Sequence, residues 1–245
     1  GSELAPWHEE HGHRWRALDV PRRGGVGFTL VSESRTGISF TNALVEADLL
    51  QNQHLLNGSG VALGDVDGDG WVDVYFTRLT GPNALYRNLG DWRFEDITDR
   101  AGVAAADRYS TGTVLADVDG DGDLDLLVMA LGGPNALFVN DGTGTFSERS
   151  DAGLASTYGS HSLTMADIDA DGDLDLYVTN YKVKSVKDLF PPDQRAFDRV
   201  VQQDGDTYTV VPSFREHYRV ERQGDRLARI EIGEPDVLYL NDGTG

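Results

Sequence analysis

The chain has 245 residues, 39% of them hydrophobic, which is enough to bury a sizeable core and excludes a disordered chain. Acidic residues outnumber basic ones by 41 to 21, and the formal charge of −20 repels nucleic-acid backbones and anionic membranes. There is no cysteine, so disulfides, thiolate metal sites and a cysteine nucleophile are excluded, and no apolar run reaches the roughly eighteen residues of a membrane-spanning helix.

The opening Gly1-Ser2-Glu3 has no signal-peptide pattern and reads as an added start, compatible with a natural leader having been removed. Residues 1–25 are rich in His, Arg, Glu and Gly without periodicity and read as a tail or an incomplete neighbouring element. His8, His11 and His13 could form a small transition-metal site, although histidines at a terminus are more often simply solvated. Val26 to Ile38 resembles the closing phrase of the repeat that follows and predicts an extra N-terminal strand.

From there the chain repeats itself. Gly60–Asp73 matches Gly112–Asp125 and Ser162–Asp175, with the first aspartates of the shared motif at 65, 117 and 167. A second phrase follows each: Gly81-Pro-Asn-Ala-Leu-Tyr-Arg-Asn88, Gly133-Pro-Asn-Ala-Leu-Phe-Val-Asn140 and Glu234-Pro-Asp-Val-Leu-Tyr-Leu-Asn241. A third, Trp92–Ile97 and Thr145–Glu148, reads as one more strand. Four short strands per unit of about fifty residues, punctuated by Gly and Asn turns, predict four-stranded antiparallel β-propeller blades, with a β-solenoid as the structural rival. Residues 26–245 thus read as an all-β array of about three blades. Closed propellers have roughly four to eight, so a fragment of a larger propeller is expected, with remaining blades or another chain completing closure.

Fourteen aspartates fall in the three nine-residue windows 65–73, 117–125 and 167–175. Alternate carboxylates in a tightly turning backbone face inward and build the all-oxygen cage of six to eight ligands that Ca²⁺ takes. The predicted ligands are Asp65, Asp67, Asp69 and Asp73 with the carbonyl of Trp71; Asp117, Asp119, Asp121 and Asp125 with that of Asp123; and Asp167, Asp169, Asp171 and Asp175 with that of Asp173. About three Ca²⁺ ions are expected, each fixing the turn between the first two strands of a blade. An EF-hand would need a bidentate Glu at position twelve and a helix after it, but Phe76, Val128 and Val178 stand there within apolar alternation. Mg²⁺ demands a stricter octahedron, and transition metals are poorly served by oxygen alone. Ala170 replaces the glycine found at Gly68 and Gly120, a departure expected to weaken the third site.

The third unit is interrupted: Asp175 and Pro235 are sixty residues apart where the equivalent pairs are nine apart. The insertion, about 181–233, opens on a basic stretch, carries a candidate helix over 193–203, and has strand-like alternation at Thr207–Val211 and Arg226–Ile232. Its densest polar and aromatic group, Arg215 to Arg219 with Glu216 and His217, could line a carbohydrate or peptide site, though ordinary hairpin surface explains it as well. His54, His161 and His217 are isolated in sequence and would share a site only if folding united them. Ser160-His161 lacks a nucleophile motif, and Gly142-Thr-Gly144 sits at a turn rather than before a helix, so neither a hydrolase nor a phosphate cradle is indicated.

These repeats resemble the FG-GAP or VCBS family, and within it are most similar to the bacterial relatives of cartilage acidic protein; the match covers about 26–180 and 234–245. The resemblance implies an integrin-α-like calcium-binding propeller, a parent of the seven-bladed type, Ca²⁺ in the loops at Asp65, Asp117 and Asp167, and an extracytoplasmic location: secreted, periplasmic or at the cell surface. It implies no catalytic activity. The expected function is an exported scaffold that binds a protein or glycan; the alternative is a carbohydrate-active enzyme such as a polysaccharide lyase, with its site near 181–233.

Overall fold

The computed structural model describes residues 6–10, 13–17 and 27–243, in two compact units, Gly1–Ser32 and Glu33–Gly245. In the first unit, β1 (His8–Glu10) pairs antiparallel with β2 (His13–Trp15). The His8 ring stacks on the cross-strand Trp15, and the guanidinium groups of Arg14 and Arg16 lie 5.0 and 4.8 Å from the centre of the Trp7 ring. His11 falls outside the described residues.

The extra N-terminal strand does not form. Residues 27–32 are irregular and a helical turn, Glu33–Thr36, follows, while Val26 lies outside the described residues. Phe28 and Leu30 are exposed, and among the described residues this stretch, for all its strand-like alternation, pairs with no strand.

The second unit is built from three antiparallel sheets. Sheet 1 runs β3 (Val61–Gly64), β4 (Asp73–Phe76), β5 (Ala84–Asn88), β6 (Phe94–Asp96) in spatial order. Sheet 2 repeats this meander with β7 (Ser110–Ala116), β8 (Asp125–Ala130), β9 (Ala136–Asn140) and β10 (Phe146–Glu148). Sheet 3 starts with β11 (Ser160–Ala166) and β12 (Asp175–Asn180), after which the insertion intervenes. That insertion holds two hairpins, β13 (Val201–Asp204) with β14 (Thr207–Val210) and β15 (Tyr218–Gln223) with β16 (Arg226–Glu231), before β17 (Val237–Tyr239) completes sheet 3 beside β12. These are propeller-type blades, and the three sheets do not close a ring.

Sheet 2 is packed on both faces, which is why β8 reads Asp-Leu-Leu-Val-Met-Ala with every residue buried. On one side Leu126, Val128, Ala136 and Phe138 meet Val66, Tyr75 and Leu85 of sheet 1; on the other, Leu127, Met129 and Leu137 meet Leu176 and Val178 of sheet 3. The innermost strands approach closely. A Cβ on Gly60 would stand 2.8 Å from the carbonyl oxygen of Thr111, and one on Gly112 2.7 Å from that of His161. The glycines opening the first two repeats are therefore a packing requirement between blades. The third repeat has Ser162 at this position, and its side chain is exposed.

The insertion carries a core of its own, with Val186, Val200, Val201, Val210, Phe214 and Tyr218 buried together. Its expected helix shrinks to Phe197–Val200 because Val201–Asp204 is drawn into the hairpin with β14 across the turn at Gly205. Ser185 and Asp188 cap a short turn in reciprocal fashion, and Asp188 also accepts from the Gln53 amide at 3.1 Å. Asn52 donates to the Val183 carbonyl at 2.8 Å, so the segment before sheet 1 is fastened to the base of the insertion.

Candidate metal centres

Each Asp-rich loop joins the first and second strands of its sheet, β3–β4, β7–β8 and β11–β12. The backbone takes a left-handed conformation at the fourth and sixth loop positions: φ is +70° and +89° at Gly68 and Gly70, and +65° and +105° at Ala170 and Gly172. Two such residues fold nine residues tightly enough to turn alternate side chains inward. Alanine pays a steric penalty there of about 1–2 kcal/mol that glycine escapes.

In each loop three carboxylates converge. One oxygen each from Asp65, Asp67 and Asp73 lie within 4.8 Å of one another, and the same holds for Asp117, Asp119 and Asp125 and for Asp167, Asp169 and Asp175. Oxygens bound to one Ca²⁺ at about 2.3–2.6 Å are at most about 5 Å apart, so these separations fit such an ion, and the donor set is entirely hard oxygen. The fifth-position aspartates lie outside the trios. Asp121 and Asp171 accept from the backbone amides of Asp123 and Asp173, and Asp69 accepts from that of Trp71. At the seventh position, a Cβ on Gly90 would touch the Trp71 ring, while one on Gly142 or Gly243 would collide with the carboxylate of Asp123 or Asp173. These three side chains cover a neighbouring turn and are not members of the trios.

The ninth-position aspartate organises the blade. Asp73 accepts from the amides of Val66 at 2.9 Å and Asn88 at 2.7 Å; Asp125 accepts from Val118 and Asn140, and Asp175 from Ile168 and Asn241. One carboxylate thus holds the loop's entry to the end of the third strand. Burial pushes the Asp73 carboxyl up to about 6, against the two amide bonds, with Asp67 and Asp69 adding to the rise. Burial likewise raises Asp125, whereas at Asp175, in a loop less surrounded by protein, the Ile168 and Asn241 amides hold the carboxyl below its ordinary value.

Two sets of residues escaped the sequence reading. Asn88, Asn140 and Asn241 close the second phrase of each unit, and each extends its side-chain amide to the carbonyl just before the ninth-position aspartate, at Val72, Leu124 and Leu174. Asn140 and Asn241 also donate across the blade boundary, to the carbonyls of Val66 at 2.9 Å and Val118 at 2.7 Å in the preceding loop. The recurring Asn was visible as a pattern, but its partners were not. Arg87 is the second case. It pairs with Asp67 and, at 2.9 Å, with Asp69, placing a guanidinium beside loop 1 where Val139 and Leu240 stand in the other repeats.

The polar group in the insertion does not converge on a pocket. Tyr218 is buried beneath Arg229, His217 packs against Phe190 and Phe214, and Arg215, Glu216 and Arg219 point outward.

Family comparison agrees with this architecture. The model described as "FG-GAP-like repeat" matches residues 65–128 and 117–178. Residues 65–178 of the chain are therefore FG-GAP-like repeats. The chain is 33% identical over 99 residues to cartilage acidic protein 1 of Xenopus tropicalis, covering 40% of this chain and 15% of that protein. The human protein of the same name is 33% identical over 86 residues, 35% of this chain and 13% of that protein; the mouse one is 32% identical over 82 residues. The match therefore spans no more than 15% of these relatives' length.

Proposed function

We propose that this chain is an exported, calcium-stapled set of propeller blades that acts as a scaffold for binding a protein or glycan. The observation that carries the calcium reading is the threefold recurrence of a carboxylate trio within 4.8 Å, each anchored by a buried ninth-position aspartate. The trios would supply the first, third and ninth ligands. Asp69, Asp121 and Asp171 would supply the fifth, and the carbonyls of Trp71, Asp123 and Asp173 the seventh. A bound Ca²⁺ contributes the positive charge that offsets carboxylate repulsion. The rest falls to the chain's own residues: the left-handed pair bends the loop, the ninth aspartate binds two amides, and the terminal Asn ties one blade to the loop before it.

The export reading rests on the likeness to cartilage acidic protein 1, and the scaffold reading on the blades themselves, residues 26–245 with 181–233 as the insertion. Further blades or another chain would complete closure on the open side of sheet 3, where Ile168 is exposed. The test is calorimetric Ca²⁺ titration of chelator-stripped protein with parallel thermal melts. Binding with a higher Tm supports the reading, and no binding at millimolar calcium, beyond the roughly 10⁻⁴–10⁻³ M range of weak extracellular modules, removes it.

A further inference from the structure

Folding unites two of the three histidines that are isolated in sequence. His54 lies in a helical turn, Gln53–Leu56, ahead of sheet 1, and His161 is the second residue of β11 in sheet 3. Their ring centres are 6.3 Å apart with the planes nearly perpendicular, and the Tyr181 ring closes over His54 at 5.0 Å. His54 is only 6% exposed. The Nε2 atoms of both rings are buried and have no hydrogen-bond partner. One orphaned imidazole nitrogen costs about 1–3 kcal/mol, and buried polar atoms are nearly always satisfied, so two of them in adjacent rings call for a shared ligand.

We propose that His54 and His161 form a two-imidazole site that takes one borderline transition-metal ion of the Zn²⁺ or Cu²⁺ class, separate from the all-oxygen loops. A ring centre lies about 3.2 Å from a metal bound through its nitrogen at about 2.0–2.1 Å, so rings sharing one ion have centres roughly 5–6.4 Å apart. The observed 6.3 Å corresponds to a nearly trans pair of nitrogens, the arrangement of tetragonal Cu²⁺, and tetrahedral Zn²⁺ would draw the rings together by about 1 Å. The Asn57 amide is 3.5 Å from His54 Nδ1, positioned for its oxygen to accept from Nδ1–H once the amide is turned, which would leave Nε2 as the ligand. Beside His161 opens a cavity of about 240 Å³ lined by Asn57, Ser59, Gly60, Thr111 and Ser162, which can supply water as the remaining ligands.

The electrostatics favour neutral rings. Burial lowers the pKa of His54 against the pull of Asp188, Glu231 and Glu234, with Lys182 reinforcing the lowering; burial and the charge of His54 lower His161. Two neutral imidazoles coordinate a metal and do not need to share a proton. The ion would cross-link the approach to sheet 1 with the inner strand of sheet 3, residues 107 positions apart, adding to the hydrogen bonds that fasten Asn52 and Gln53 to the base of the insertion.

The test uses the full chain with His8→Ala, His11→Ala and His13→Ala, to remove the terminal histidines, and with excess Ca²⁺ occupying the acidic loops. ZnCl₂ is titrated by calorimetry, and Cu²⁺ is added separately for electron paramagnetic resonance. The expected result is one Zn²⁺ per chain, weakened at least tenfold by His161→Gln and by His54→Gln, with Cu²⁺ showing coupling to two nitrogens. Should His54→Gln fail to fold, the half-buried His161→Gln and the Cu²⁺ spectrum of the parent still decide. No Zn²⁺ binding in the parent, binding unchanged by His161→Gln, or a Cu²⁺ spectrum without nitrogen coupling would overturn the assignment.

Discussion

The first two Asp-rich loops and the third have nearly the same sequence but different surroundings. At the second loop position Val66 and Val118 are 2% and 6% exposed, whereas Ile168 is 53% exposed. Over the first two loops lies the next blade, in which Asn140 at the end of the third strand, or Asn241 just beyond it, donates to the Val66 or Val118 carbonyl. No following sheet covers the third loop among the described residues, and there Asp167 and Asp169 are exposed while only Asp175 is buried. The same contrast appears at the inner strands, where Gly60 and Gly112 are pressed against a neighbour and Ser162 is not. A blade in this array is thus completed by the one after it, and each of the first two Asp-rich loops is tied by an asparagine 74 or 123 positions downstream.

The sharpest way to break this comparison is to remove the tie itself. Asn140→Ala deletes buried bonds to Val66 and Leu124 and the acceptor for the Gly142 and Gly144 amides, at a cost of about 3–5 kcal/mol. Asn241→Ala, at the more exposed boundary, should cost about 1–2 kcal/mol. Urea denaturation in saturating calcium measures both, and equal losses would contradict the account.

Next in size is the inner-strand contact. Gly112→Ala forces a Cβ against the His161 carbonyl and should destabilise by about 1–3 kcal/mol, while Ser162→Ala stays within about 0.5 kcal/mol. Smaller still is the backbone of loop 3. Ala170→Gly relieves a left-handed alanine and should stabilise by about 1 kcal/mol, and Gly120→Ala should lose a similar amount, both read from calcium-free denaturation curves.

The weakest expected effect is on pH dependence. His54 titrates below its ordinary value in the folded chain, so beneath pH 6.5 the unfolded chain binds more protons and stability is lost as pH falls. His54→Gln should flatten that part of the stability profile, measured by denaturation between about pH 5 and 7.

The carboxylate trios were legible in the sequence because their aspartates come from one nine-residue window, where spacing alone brings them together. The blade order was legible too, since each meander joins neighbours in sequence through Gly and Asn turns. What escaped was non-local. Asn140 reaches back 74 residues and Asn241 reaches back 123 to their carbonyl partners, and nothing in the local pattern names those partners. In the insertion, the apolar spacing of Phe197, Val200 and Val201 fits a helix, but pairing with Thr207–Val210 takes Val201 into a strand. At Phe28 and Leu30 the alternation is real, but among the described residues no strand pairs with it.

The central claim is that three loops of one design hold calcium and that the third, uncovered and strained at Ala170, holds it less tightly. Calorimetric titration of chelator-stripped protein with CaCl₂ tests it directly. The account predicts three ions per chain, two binding more tightly than the third, with Ala170→Gly narrowing the gap and Tm rising with occupancy. Three equivalent sites would contradict the role given to the following blade, and no heat and no rise in Tm at millimolar calcium would contradict the metal centres themselves.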